Sequence, residues 1–303
     1  MNILITGGTG LIGRPLIRLL VSSGHHIVVL SRNSSKQSIY PNVEFQQWDG
    51  QNVTSWGSSE YKVDAVINLA GENIGSFPWT KKRKRLFRES RLKAGSALVN
   101  AIRSAQPRPS IFIQASAVGF YGPRGVENID ETAGSGIDYS AGLCTEWEAS
   151  SADVEEMGLR RIVIRTGVVL DKNGGVLPLM ALPVRLFAGG RLGTGNQGIP
   201  WIHIDDEVNA IKFLLENDSA RGVYNLSAPN PVSNSAFMKT ISIMIKRPYW
   251  FHVPHKVIRF ALGEMSTLLL DGQFMVPSRL LDSEFKFRYE TVELALQNIL
   301  NRV

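Results

Sequence analysis

A single cysteine, Cys144, stands in 303 residues. It has no partner for an internal disulfide, and its solitude excludes cysteine-rich metal sites. A reducing intracellular compartment is the natural setting: the cytoplasm by default, with an organelle such as the mitochondrion left open. Long apolar runs are absent too, and none approaches the ~20 residues that span a bilayer. The start, Met1-Asn2-Ile3-Leu4-Ile5, has no basic region and no small-residue cleavage site, so no secretory signal is expected. Histidine is scarce, with five residues, and His25, His26, His252 and His255 show no ligand spacing. His203 stands near Asp205 and Asp206, but a loop-to-helix boundary with Asp205 as N-cap accounts for the trio more simply. No metal is expected. Fixed-period repeats and low-complexity tracts are also missing.

What is present reads as an ordinary globular chain, 44% hydrophobic and 20% charged. Its length fits one large domain, or a large domain with a smaller partner. The formal charge of +6 suits an anionic small molecule as well as nucleic acid. Five of the 33 basic residues crowd into Lys81-Lys82-Arg83-Lys84-Arg85. Such a run resembles a nucleic-acid patch. Only Phe87 offers an aromatic nearby and no nucleic-acid module is recognisable, so no nucleic-acid partner is expected. No membrane partner is expected either.

The first half alternates strands and helices. Asn2 to Thr6 is a short apolar strand. Leu11 to Ser22 carries helical apolar spacing and meets Gly24 at its stop. Ile27–Leu30 and Val43–Gln46 read as strands two and three. Val63–Leu69 reads as a fourth, apolar enough for burial on both faces. A long helix is expected from about Thr80 to Ser104, then a strand from Ile111 to Ala115. A helix around Thr145 to Met157 should lead to a sixth strand, Arg161 to Thr166. This rhythm predicts an α/β fold, a doubly wound parallel sheet of the Rossmann type. After Gly167 the rhythm breaks into a glycine-rich stretch. A helix at Asp205–Glu216 and a strand at Val223–Leu226 return to the sheet. The tail is mainly helical, at Ser235–Ile245, Lys256–Leu270 and Thr291–Leu300. The expected division is a dinucleotide domain at 1–170, with 200–228 returning to it, and a smaller, mostly helical substrate domain at 171–199 and 229–303.

The loop Thr6-Gly7-Gly8-Thr9-Gly10-Leu11-Ile12-Gly13 joins the first strand to the first helix. Gly7 permits the tight turn, Gly10 lets the backbone approach a pyrophosphate, and Gly13 lets helix and strand pack closely. The helix N-terminus offers free N–H groups to phosphates. A glycine motif alone is weak, but here strand, helix and second strand arrive in order. Thr6, Gly7, Gly10, Leu11, Ile12 and Gly13 are therefore candidate cofactor contacts. The second strand ends Leu30-Ser31-Arg32 without the acid that holds an NAD ribose. Arg32 can meet a 2′-phosphate with a charge-assisted bond and Ser31 can add a hydroxyl, so the expected cofactor is NADP(H).

With these residues in view, the chain resembles an extended short-chain dehydrogenase/reductase over nearly its whole length. The loop matches that family's TGGTGxIG pattern, and Asn68-Leu69-Ala70-Gly71 its NNAG-like segment. Ala115 to Gly122 resembles the serine-bearing end of the fifth strand. More narrowly, the chain is similar to an epimerase-family branch of nucleoside-diphosphate-sugar-epimerase-like and cell-division-inhibitor-like proteins. That likeness rests on Trp79-Thr80 with the basic helix and Ser90-Arg91, on Ala115 to Gly122, and on Gly198 to Asp206. The resemblance implies backbone contacts from Leu69, Ala70 and Gly71 to the cofactor. It also implies a catalytic role for Ser116, although this segment is one residue longer than the common pattern.

The chain departs from the family at its Tyr-x-x-x-Lys motif, where lysine holds the ribose and lowers the tyrosine pKa. Tyr139 places Leu143 at the lysine position. A register on Glu148 places Cys144 there and Ser140 at the tyrosine position. An unassisted tyrosine is protonated at neutral pH. Tyr139 as catalytic residue thus favours reduction, and Tyr121 is a second candidate. Lys81, Lys84, Arg88 and Arg91 form one helical stripe, with Lys93 elsewhere on the wheel. Arg88 and Lys93 are candidates for contacts to cofactor or substrate phosphates. The expected function is an NADP(H)-dependent reductase or epimerase of an unidentified small molecule. The rival is a non-catalytic NADP(H)-binding scaffold or redox sensor acting through a protein partner. Oligomeric state is not written in the sequence; a homodimer is the default for enzymes of this shape.

Overall fold

The computed structural model describes residues 1–32, 39–53, 62–75 and 78–300. Seven strands form the main sheet: β1 (Asn2–Thr6), β2 (His26–Ser31), β3 (Val43–Gln47), β4 (Ala65–Asn68), β5 (Ile111–Ala117), β6 (Arg160–Thr166) and β7 (Gly222–Leu226). Their order is β7-β6-β5-β4-β1-β2-β3, and every pairing is parallel. Parallel neighbours need crossovers, and among the described residues helices supply four of the six, on both faces. The strands accordingly read as continuous apolar runs. Ile3 and Ile5 face a core that includes Leu16 and Leu20 of α1 (Gly13–Ser22), while Leu4 between them faces the opposite core.

That opposite core takes in Ala94, Leu98 and Ile102 of α2 (Lys81–Ser104). Thr80 caps α2 by accepting the Arg83 N–H. The next helix, α3 (Tyr139–Ala149), begins earlier than the sequence pattern indicated and stops short of Met157. The cause is local: Asp138 Oδ1 accepts the Ala141 N–H at 2.8 Å, which fixes the start.

Beside the sheet lies a second core. α4 (Leu177–Arg185), α6 (Asn234–Ile245) and α8 (Val292–Leu300) bury Leu177, Val184, Phe237, Ile241, Leu296 and Ile299 there, with Trp201. α5 (Ile204–Glu216) returns to the main core through Val208, Ile211 and Leu214. Its N-cap is His203 rather than Asp205: the Nδ1 of His203 accepts the Asp205 N–H at 3.0 Å. The ring of His203 also stacks on Tyr289, centroids 3.8 Å apart, which brings the cap into position. The helix expected over Lys256–Leu270 is interrupted. α7 (His255–Leu262) ends at Gly263, whose φ of +56° no continuing helix tolerates, and Thr267–Leu270 forms a separate turn. Among the described residues no helix is long and apolar enough to cross a membrane.

Candidate functional site

The strand order reverses between β1 and β4, since the chain leaves β1 for β2 on one side and reaches β4 on the other. In such sheets the crevice at the carboxyl ends of these strands is where ligands sit. The loop at 6–13 lies there, and its glycines are dictated by contact. A Cβ on Gly7, at φ +70°, would stand 2.4 Å from the Leu69 carbonyl oxygen. One on Gly13 would stand 2.4 Å from the Gly7 oxygen. The loop is thus pressed against the turn after β4, and α1 is pressed against the loop. Gly10 differs: its only near atom is the Gly7 oxygen at 3.2 Å, so its outer side is open. No side chain caps the first turn of α1. The Arg14 N–H is bonded to the Gly10 carbonyl at 3.3 Å and Pro15 has none, so the Leu11, Ile12 and Gly13 N–H groups are the ones without an acceptor among the described residues.

A cleft of about 710 Å³ opens over this loop. Its walls are Leu30, Ser31 and Arg32 at the end of β2, residues 48–51 after β3, residues 69–73 after β4, and one face of α2 including Ser90 and Lys93. Arg32 is exposed and, among the described residues, has no ion-pair partner. Asp49 is the acid closest to the role of a ribose holder, but its carboxylate is spent on its own turn. It accepts the N–H groups of Asn52 at 2.8 Å and Gln51 at 2.7 Å, and these bonds hold its pKa below the ordinary carboxylate range.

The structure therefore brings Gly7, Gly10, Ser31, Arg32, Leu69, Ala70, Gly71 and Lys93 to one cleft. Thr6, Leu11, Ile12 and Gly13 stand behind it. Thr6 Oγ1 donates to Asn68 Oδ1 at 2.6 Å, and Asn68 Nδ2 donates to Gln114 Oε1 at 3.0 Å, which ties the ends of β1, β4 and β5 together. Leu11 packs on Gly174 and Gly175. Arg88 is not on the cleft wall; it is exposed and ion-paired with Glu146 of α3. Lys93 Nζ lies 3.2 Å from Glu89 Oε2 at the rim.

Ser116 belongs to a second, buried polar cluster. Its Oγ donates to Glu148 Oε1 at 2.6 Å. Arg165 grips both oxygens of Glu148, each at 2.9 Å, and donates to the Tyr121 hydroxyl at 3.1 Å. Tyr121 in turn donates to Asn225 Oδ1 at 2.6 Å. Burial pushes the Tyr121 phenol up, against the pull of Arg165. The Tyr139 hydroxyl is donated to the Lys84 carbonyl at 3.0 Å, with the Lys84 ammonium 4.5 Å from its ring centroid. Burial raises that phenol too. Cys144, on the same helix, is buried and its thiol is pushed up to about 11, chiefly by burial.

Several participants escaped the sequence reading. Trp48 of the cleft wall carried no motif. Glu148 served only as a register point for the Tyr-x-x-x-Lys motif, and Arg165 was no more than a residue of the sixth strand. Ser90 was visible only as part of a matching dipeptide and Arg91 also as one of a basic stripe, yet both hold the turn after β4: Ser90 Oγ accepts the Glu72 N–H at 2.9 Å and Arg91 donates to the Glu72 carbonyl at 3.1 Å.

Comparison with known proteins places this geometry. Residues 3–227 match the model of the NAD dependent epimerase/dehydratase family, and residues 253–299 match a domain of unknown function, DUF1731. The chain is 38% identical to epimerase family protein YfhF of Bacillus subtilis (strain 168) over 301 residues, 99% of this chain and 98% of that one. It is also 38% identical to the chloroplastic epimerase family protein SDR39U1 homolog of Arabidopsis thaliana, covering 99% of this chain and 87% of the relative. The crystal structure of human epimerase family protein SDR39U1 (isoform2) with NADPH superposes at a TM-score of 0.88, with 32% identity and all of both chains covered.

Proposed function

The chain belongs to the NAD dependent epimerase/dehydratase family, and from that premise we propose that it is an NADP(H)-dependent oxidoreductase, a reductase or epimerase of a small molecule, with reduction as its favoured direction. The observation that carries the cofactor is the end of β2, where Ser31 and Arg32 border the cleft and, among the described residues, Arg32 has no ion-pair partner and no acid stands in for a ribose holder. The relative solved with NADPH supports the same reading. The residues present fit a dinucleotide. Gly10 leaves open the space that a Cβ would fill, and the N–H groups of Leu11, Ile12 and Gly13 would be the donors to a phosphate there. Ser31 and Arg32 would hold the 2′-phosphate. The backbone of Leu69, Ala70 and Gly71 would line the ribose side, and Lys93 stands at the rim for a phosphate. When bound, NADPH supplies a hydride. Ser116 is the residue this reading assigns to a substrate oxygen. Tyr139 is the assigned proton donor, and it must release the Lys84 carbonyl to serve. The partner is a small molecule rather than nucleic acid or membrane.

A second reading rests on a specific observation. The hydroxyl protons of Ser116, Tyr121 and Tyr139 are all committed to acceptors inside the protein. That arrangement favours a scaffold or sensor that binds NADP(H) and acts through a protein partner. One experiment separates the two: NADPH consumption over a library of carbonyl compounds, run beside Tyr139→Phe and Ser116→Ala. Turnover that both substitutions abolish supports the oxidoreductase. Tight NADPH binding with no turnover across the library supports the sensor.

A further inference from the structure

Ser90 and Arg91 sit on α2 directly behind the turn after β4. Ser90 Oγ accepts the Glu72 N–H at 2.9 Å, and Arg91 Nη1 donates to the Glu72 carbonyl at 3.1 Å. Both main-chain polar groups of one turn residue are thus held by two consecutive side chains. Arg91 Nη1 also donates to the Phe87 carbonyl at 2.9 Å, which anchors the guanidinium to its own helix. The guanidinium lies between the bare face of Gly71 and the ring of Trp147. A Cβ at Gly71 would come within 3.1 Å of Cζ, and Cζ is 4.6 Å from the Trp147 centroid. Arg91 is 8% exposed.

Among the described residues no carboxylate is ion-paired with Arg91. Glu72, its nearest acid, turns its carboxylate to Arg83 at 3.5 Å. The other titratable groups that face it are Cys144 and Tyr139 on α3. A buried cation without an anion is costly to keep. This one lies a single layer beneath a wall of the cleft, since Gly71, Glu72 and Ser90 line that wall. It also lies against α3, the helix on which the family pattern has lysine and this chain has Leu143 and Cys144.

We infer that Ser90 and Arg91 form a clamp that positions the 69–72 turn for the cofactor, and that Arg91 brings to it, from α2, the fixed positive charge this chain lacks on α3. Arg91 is a positioning residue: it acts through the backbone of Gly71 and Glu72. The geometry favours glycine at 71, because a Cβ there would stand 3.1 Å from the guanidinium carbon and the clamp would have to give by a few tenths of an ångström. The inference rests on the NADP(H) reading of the cleft.

The test is NADPH affinity, followed by the ligand's own fluorescence, with the melting temperature of each variant recorded alongside. Ser90→Ala and Arg91→Met are each expected to weaken NADPH about tenfold or more, the scale of a lost hydrogen bond to a charged or fixed polar group. Arg91→Lys restores charge without the fork, so it should recover part of the affinity while melting as low as Arg91→Met. Gly71→Ala should weaken NADPH in the wild-type background and add little to Arg91→Met, where the room has been vacated. If Arg91→Met fails to fold, Ser90→Ala and Gly71→Ala still decide. The clamp is overturned if the folded variants lose melting temperature but bind NADPH within about twofold of wild type. The charge role is overturned if Arg91→Lys binds no better than Arg91→Met. Wild-type protein that does not bind NADPH overturns the cofactor reading itself, before any variant is compared.

Discussion

Ser116 and Glu148 are joined by a 2.6 Å hydrogen bond in which the serine donates, and the same carboxylate is held by both arms of Arg165. The pair links β5 to the end of α3 and through Arg165 to β6. Glu148→Gln leaves Arg165, 5% exposed, with one acceptor on residue 148 where it had two, and without the negative charge. Breaking a buried pair of this kind costs about 3 kcal/mol or more. Ser116→Ala removes a single donor and is expected to cost about 1 kcal/mol. Urea titrations measure both. Equal, small losses for the two variants contradict a buried ion pair at this position.

Tyr139→Phe deletes the bond to the Lys84 carbonyl and leaves the ring contacts with Trp79 and Lys84 in place. The expected loss of stability is about 1 kcal/mol. If Tyr139 is the proton donor, NADPH turnover on an active carbonyl falls by orders of magnitude with that small loss of stability. Turnover that survives the substitution assigns the phenol to the α2–α3 contact alone.

Arg32 borders the cleft with no ion-pair partner among the described residues, so its removal is expected to disturb little else. Arg32→Ala is expected to weaken NADPH by about tenfold or more, the scale of a charge-assisted bond to phosphate, and to leave NADH nearly unchanged. Arg32→Asp should go further and bring the two cofactors toward equal affinity, because an acid repels the 2′-phosphate and accepts from a free 2′-hydroxyl. Equal losses for both cofactors place the 2′-phosphate elsewhere.

The parts of this chain that were legible in its sequence are those where geometry leaves one residue type. Gly7 and Gly13 are glycines because a Cβ meets backbone, and strands buried on both faces must be apolar throughout. The seven-stranded sheet and the loop follow from those constraints. The start of α3 was missed because its signal is the cap at Asp138, not an apolar stripe. Arg91 was missed for a different reason. Read as one of four basic residues in a helical stripe, it gave no sign of burial. Read against its neighbours it does not: Phe87, Ala94, Gly95 and Leu98 stand at offsets of four, three, four and seven, and all are buried. A cation inside an apolar stripe is the signal, and the basic run before it hid the stripe. Glu148 and Arg165 gave no such signal, since their partnership spans separate elements.

Glu207 offers a prediction in pH. It is fully buried at the start of α5; Thr166 Oγ1 donates to its Oε1 at 2.8 Å, and its Oε2 has no hydrogen-bond partner among the described residues. Burial raises its pKa from 4.5 to about 8, against a smaller pull from Thr166. The unfolded chain releases this proton near 4.5, whereas the folded chain keeps it to about 8. Between those values the folded state binds more protons, so this group's contribution to stability falls as pH rises. The slope is at most about 1.4 kcal/mol per pH unit, and it vanishes above the folded pKa. Glu207→Gln presents an N–H where the protonated acid presents its O–H, and it cannot ionise. The variant should therefore lose that slope and melt above wild type at the alkaline end of the window, while the two converge toward its acidic end. The difference between the two melting curves isolates Glu207 from every other titrating group. Curves that run parallel across the window mean that the carboxyl ionises at an ordinary pKa, with water or a local opening reaching it.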